Sequence, residues 1–148
     1  MAGSPAPSPA AADAAAAPWT ARRFFELLAT LGRLRVISQS GPSTFEALCE
    51  VGPFEIAQGF LNAITPAYHW HLAVHRFRHL RSHDELHARS GRRVLFFTLH
   101  EAPDAPPFLR IYLHREKGAE FEPEREARFG EAHAALRDGV AVVLEGEA

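Results

Sequence analysis

The sequence predicts an α+β domain, a mainly antiparallel β-sheet flanked by an N-terminal and a C-terminal helix. Three observations carry this. The two full helical patterns lie near the two ends of the chain, at 19–31 and 122–139. Between them, "HWHLAVHRF" (69–77) alternates apolar and polar residues with a period of two, the signature of a strand with one buried face. "RVLFFTLHE" (93–101) and "FLRIYLHRE" (108–116) are strands on either side of the loop "EAPDAPP", which predicts a hairpin and antiparallel pairing. Runs of strands between terminal helices, rather than strict β-α alternation, separate this pattern from a parallel α/β sheet.

The elements follow in order. "MAGSPAPSPAAADAAAAP" has no basic start and no Leu-rich centre, so residues 1–18 read as a disordered Ala/Pro leader rather than a signal peptide. Residues 19–148 then form a single domain, as expected for a chain of 148 residues. Phe24, Leu27, Leu28 and Leu31 fall on one helical stripe, with Thr20 as N-cap and Gly32 as stop. "RLRVIS" (33–38) alternates and predicts a strand, followed by a turn at "SQSGPS". "TFEALCEVG" (44–52) fits strand or helix, and "EIAQGFLNAI" (55–64) a strand broken by Gly59. Beyond Phe77 two readings compete. Ser82-His-Asp-Glu85 has the form of a capping box, so a short helix over 83–89 stands against a second strand. In the C-terminal helix, Pro123 suits the first turn, acidic residues crowd the N-terminal end and Gly139 suits the stop. "VAVVLEGEA" adds an edge strand or frays, for four to seven strands in all.

Charge and cysteine content narrow the function. A formal charge of −2 is too balanced for a dedicated nucleic-acid binder. Cys49 is the single cysteine, which rules out an intrachain disulfide and a Cys-based zinc cluster. It reads as a buried structural residue ahead of a nucleophile. No run of about 18 apolar residues occurs, so no membrane insertion is expected. No GxSxG, GxGxxG, P-loop or HExxH motif is present.

The histidines are the chemical feature. Residues 69–87 hold His69, His71, His75, His79, His83 and His87, six of the nine in the chain. An extended segment puts His69, His71 and His75 on one face, while His83 and His87 fall in a turn-like surface region. Neutral imidazole ligates zinc, copper, nickel or haem iron. A mononuclear zinc site needs three or four converging ligands, so a third would come from another strand, such as that of His100 or His114. The alternative is that these are solvated side chains on the outer face of a half-buried sheet. A haem site would combine a broad apolar face, one or two His for iron and Arg for the propionates. Arg76 and Arg110, on the two strands that would bear the site, are the candidate propionate partners.

Several stretches together resemble the ChuX/HutX group of haem-utilisation carrier proteins. They are "LGRLRVISQSGPSTFE", "GFLN" (59–62) like the group's Gly-aromatic-x-Asn, "HWHL" where the group shows Gly-His-Leu or Gly-His-Ile, "SGRRVLFF", "PFLRIYLHREKG", and a C-terminal amphipathic helix with "ARFGEAHAAL". The resemblance spans about residues 24 to 138. It implies a HemS/ChuX-like fold and a cytoplasmic, non-catalytic haem carrier or storage protein in haem iron utilisation, acting as a homodimer. In the matched positions His71 is the candidate axial ligand, His79 answers to a later His, and Arg115 answers to an Arg after the Ile-Tyr strand. Gln58 stands where the group often has His, and Trp70 where it has Gly, which brings His69 forward as the alternative iron ligand. Two other functions use the same residues: a divalent-metal-binding or sensing module, and a haem-degrading enzyme.

Overall fold

The computed structural model describes residues 17–145; the leader reading lies outside the described residues from 1 to 16. Ten strands and two helices follow one another as β1 (Trp19–Thr20), α1 (Ala21–Ala29), β2 (Leu34–Ser40), β3 (Ser43–Cys49), β4 (Phe54–Ala57), β5 (Phe60–Ile64), β6 (His69–Ala73), β7 (His79–Leu86), β8 (Arg93–His100), β9 (Leu109–Leu113), α2 (Pro123–Leu136) and β10 (Val140–Val143). The strands form two sheets rather than one. The large sheet has the order β1-β10-β7-β8-β9-β2-β3 and the small one β4-β5-β6. All pairings are antiparallel except β1 with β10. The architecture is the predicted α+β class, with more strands than predicted.

Helix α1 begins where the sequence places it: the Thr20 hydroxyl accepts a hydrogen bond from the Arg23 amide at 3.1 Å, satisfying one of the orphan donors of the first turn. Its buried face carries Phe24, Phe25 and Leu28. Phe24 meets Phe97 of β8 edge-on at 5.1 Å, and Phe25 meets Trp70 of β6 at 5.0 Å. The helix therefore packs against both sheets. Phe129 of α2 packs on the same Phe97, at 5.1 Å, so both helices lie on one face of the large sheet. That inner face carries Leu80, Leu95, Phe97, Leu99, Ile111 and Leu34, all fully buried.

Three expectations are corrected, and the open choice over 83–89 is decided. Residues 55–64 are two strands, because Gln58 and Gly59 both have positive φ (54° and 82°) and form a two-residue hairpin turn between the paired Ala57 and Phe60. The strand from His69 stops at Ala73 and passes into a single 3-10 turn, Val74–Arg76, so His75 leaves the face of His69 and His71. Residues 83–89 are not a helix. The capping-box residues lie in β7, which pairs with β8 over eight residues, and the would-be cap Ser82 instead bonds His133 of α2 at 2.6 Å. A long ladder outweighs one local cap. Finally, β10 is internal, covered by the two-residue β1.

Candidate ligand-binding cleft

The small sheet sets its two faces by strand alternation. Leu61, Ala63 and Leu72 are buried toward α1, while Asn62, Ile64, His69 and His71 point the other way. The register pairs Asn62 directly with His71 and Ile64 with His69. The β5–β6 connection is held at both ends. The Thr65 hydroxyl accepts from the amides of Ala67 and Tyr68 at 3.2 and 3.0 Å, and the Tyr68 hydroxyl donates to the Glu50 carbonyl at 2.7 Å while accepting from the Gly52 amide at 3.0 Å. Gly52 is required here, since a Cβ would sit 2.7 Å from the Thr65 methyl. These bonds pin the hairpin to the chain leaving β3, and so fix the small sheet against the β2–β3 end of the large one.

Between them lies a cleft of about 810 Å³, well within the range of small-molecule and cofactor sites. Val36, Phe45, Ala47, Leu48, Trp70 and Phe108 give it apolar and aromatic walls, and His69 and His71 line it from β6. Phe45 is 69% exposed, an uncommonly open position for a large aromatic side chain. The two imidazoles stand edge to face at 6.1 Å. Both are exposed. His71 Nδ1 lies 2.7 Å from Asn62 Oδ1. Glu50 lines the cleft, and no Arg or Lys does so among the described residues. Cys49 also lines it and is half-buried rather than buried; burial raises its thiol pKa, keeping it protonated. Tyr68, its phenol engaged on both sides, is also raised, first by burial.

The other predicted site residues lie elsewhere. His79 sits on the far face of the large sheet, 6% exposed, with its buried Nε2 lacking a hydrogen-bond partner. Burial, then His100 and Arg81, hold it below the ordinary histidine value. Arg76 is in the 3-10 turn, not on a strand, and is bound bidentately by Glu101 at 3.1 and 2.9 Å. Arg110 is on β9 but between Thr98 and Ile37 in register, on the face away from the helices. Arg115 reaches back to the Arg93 carbonyl at 2.7 Å, a structural bond. His83 is not a turn residue: it stacks on Phe96 at 4.5 Å, which stacks in turn on Tyr112 at 4.5 Å, and its ring donates to or accepts from the Thr98 hydroxyl at 2.8 Å. His87 is in the β7–β8 turn, as expected. Sequence reasoning missed Phe45, Tyr68 and Phe108 as cleft residues, because nothing local records that the end of β3 faces the edge of β6.

No family model and no curated protein matches the chain. Solved structures do match. The heme-binding protein ChuX superposes with a TM-score of 0.66 at 13% identity, over 78% of this chain and 71% of that one. Protein AGR_C_4470 of Agrobacterium tumefaciens gives 0.67 at 16%, over 78% and 66%. The heme-binding protein PhuS of Pseudomonas aeruginosa, in its holo form, gives 0.60 at 16%, over 80% of this chain but 32% of that one. This chain thus spans about two thirds of the A. tumefaciens protein and a third of PhuS. The two-sheet arrangement is the fold of ChuX and of part of PhuS.

Proposed function

We propose that the protein is a cytoplasmic haem carrier, with the macrocycle in the cleft between the sheets and His71 as the axial ligand, His69 being the alternative. The observation that carries this is the pair of exposed imidazoles on the wall of an apolar cleft of about 810 Å³. The donor set fits the group. A flat apolar macrocycle gains burial against Phe45, Leu48, Trp70 and Phe108, and a neutral imidazole offers the lone pair that iron accepts. Bound haem would supply that iron; the protein supplies the apolar walls and the ligand. Arg76 and Arg110 do not line the cleft and are not part of the reading, which leaves the propionates no cationic partner from this chain's described residues. Fold likeness to the heme-binding proteins ChuX and PhuS supports the assignment. A lone cysteine, half-buried and protonated, suits a reducing compartment.

We also propose a homodimer, formed through the face of the large sheet on which neither helix packs. The His83–Phe96–Tyr112 stack and Ile37 lie there.

Titration of the purified protein with hemin tests the carrier reading. A saturable Soret shift at one equivalent is expected, lost in the His69→Ala, His71→Ala double variant and reduced in His71→Ala alone. An unchanged titration in the double variant overturns the ligand assignment, and no shift in the native protein overturns the carrier reading.

A further inference from the structure

His71 and His69 have the same residue type, the same strand and the same face, yet only one of them is oriented by a partner. Asn62, directly opposite His71 in the β5–β6 ladder, contacts it through Oδ1 at 2.7 Å. The amide of Asn62 is itself fixed. Its Nδ2 donates to the Phe60 carbonyl at 3.1 Å, and a carbonyl oxygen can only accept. The amide nitrogen must therefore face Phe60, and the oxygen must face the imidazole. An acceptor at Nδ1 requires a donor there, so the neutral ring of His71 carries its proton on Nδ1 and its lone pair on Nε2. Among the described residues His69 has no comparable hydrogen-bond partner.

We infer that Asn62 is a positioning residue that sets the tautomer of His71 and so makes His71 Nε2, rather than either nitrogen of His69, the electron-pair donor of the cleft. A hydrogen bond to the remote nitrogen fixes ring orientation and raises the basicity of the ligating one. It also removes the rotation that a free surface imidazole must lose on coordination. The motif "GFLN" thereby acquires a role within this hairpin: Gly59 makes the turn, Phe60 supplies the carbonyl, and Asn62 reads the orientation across to the next strand.

The inference concerns the ligand-free imidazole, and its link to iron alone rests on the proposed function. The test has two arms on native protein, Asn62→Leu and Asn62→Asp; aspartate keeps the acceptor. Long-range ¹H–¹⁵N spectra at pH 8 report the His71 tautomer without any ligand. The Nδ1–H form is expected in native protein and in Asn62→Asp, and its loss in Asn62→Leu, with the other imidazole resonances unmoved as the check on folding. The Nε2–H form in native protein, or no change in Asn62→Leu, overturns the inference. Hemin titration of the same three proteins forms the second arm. A loss of affinity of about 10- to 100-fold in Asn62→Leu, rescued in Asn62→Asp, is expected; equal affinity in all three overturns the link to iron. If native protein shows the Nδ1–H form but takes no hemin, the carrier reading fails while the assignment of His71 Nε2 as the cleft's donor stands.

Discussion

His79 shows how one residue type can be read two ways from sequence. It lies in a run of regularly spaced histidines, yet it is buried beside Gly139, where a Cβ would come within 2.5 Å of its Nε2. That nitrogen has no partner, and an unsatisfied buried polar atom costs about 1–3 kcal/mol. Burial and the neighbouring His100 and Arg81 lower its pKa, and burial lowers that of His83. In the unfolded chain both regain the ordinary value of about 6.5. Below that pH the unfolded state takes up protons before the folded one does, so stability is full above it and falls with acidification. The melting temperature is therefore expected to drop as pH falls from 7 toward 5. His79→Leu should flatten that dependence and leave stability at pH 7 equal or higher; an unchanged slope in the variant would count against this account. At this scale the sequence was informative about His69 and His71, whose alternation with Trp70 and Leu72 is a local pattern. It misplaced His83 in a turn and gave no sign that His79 is buried on the far face of the large sheet, because the environment of both comes from β8, β9 and the turn before β10.

Among the elements, the β4–β5 hairpin supports β6, the strand that lines the cleft, through the β5–β6 ladder. Its two-residue turn needs φ > 0 at both central positions, and the first of these is Gln58 (φ 54°). A side chain other than Gly, Asn or Asp in this conformation is strained. Gln58→Asn is expected to raise stability by about 0.5–1 kcal/mol, and Gly59→Ala to lower it by about 1–2 kcal/mol, measured as shifts in urea midpoint at constant m-value. No gain in Gln58→Asn would mean that the strain is relieved by contacts of the glutamine itself. The turn also explains a misreading. Gly59 was visible as a break, but a break in one strand and a turn between two look alike until the pairing of Ala57 with Phe60 is known. The capping box at Ser82 failed for the complementary reason: its signal is local and correct in form, while the eight-residue ladder to β8 that overrides it is not local at all.

For the whole molecule, the helices, the β8–β9 hairpin and the α+β class follow from the sequence, because each rests on periodicity or end signals within a short window. The division into two sheets does not. It depends on α1 placing Phe24 on one sheet and Phe25 on the other, adjacent residues about 100° apart around the helix, of which the predicted stripe includes only Phe24. The proposed homodimer belongs to this scale. Sedimentation equilibrium at micromolar protein is expected to give twice the 16.4 kDa of the chain, and Tyr112→Glu, which places a charge in the aromatic stack, should return the monomer with its circular dichroism unchanged. A native monomer, or a dimer untouched by Tyr112→Glu, would place the contact elsewhere or remove it.

The walls of the cleft have one more property. β3 ends the large sheet and β6 ends the small one, and both line the opening. Each last strand leaves one side of its backbone without a ladder partner, the kind of surface that recruits foreign strands. Two such open borders line one gap. A rigid disc seated there would deny both borders to other chains, so filling the gap would also guard the protein against sticking to its own kind.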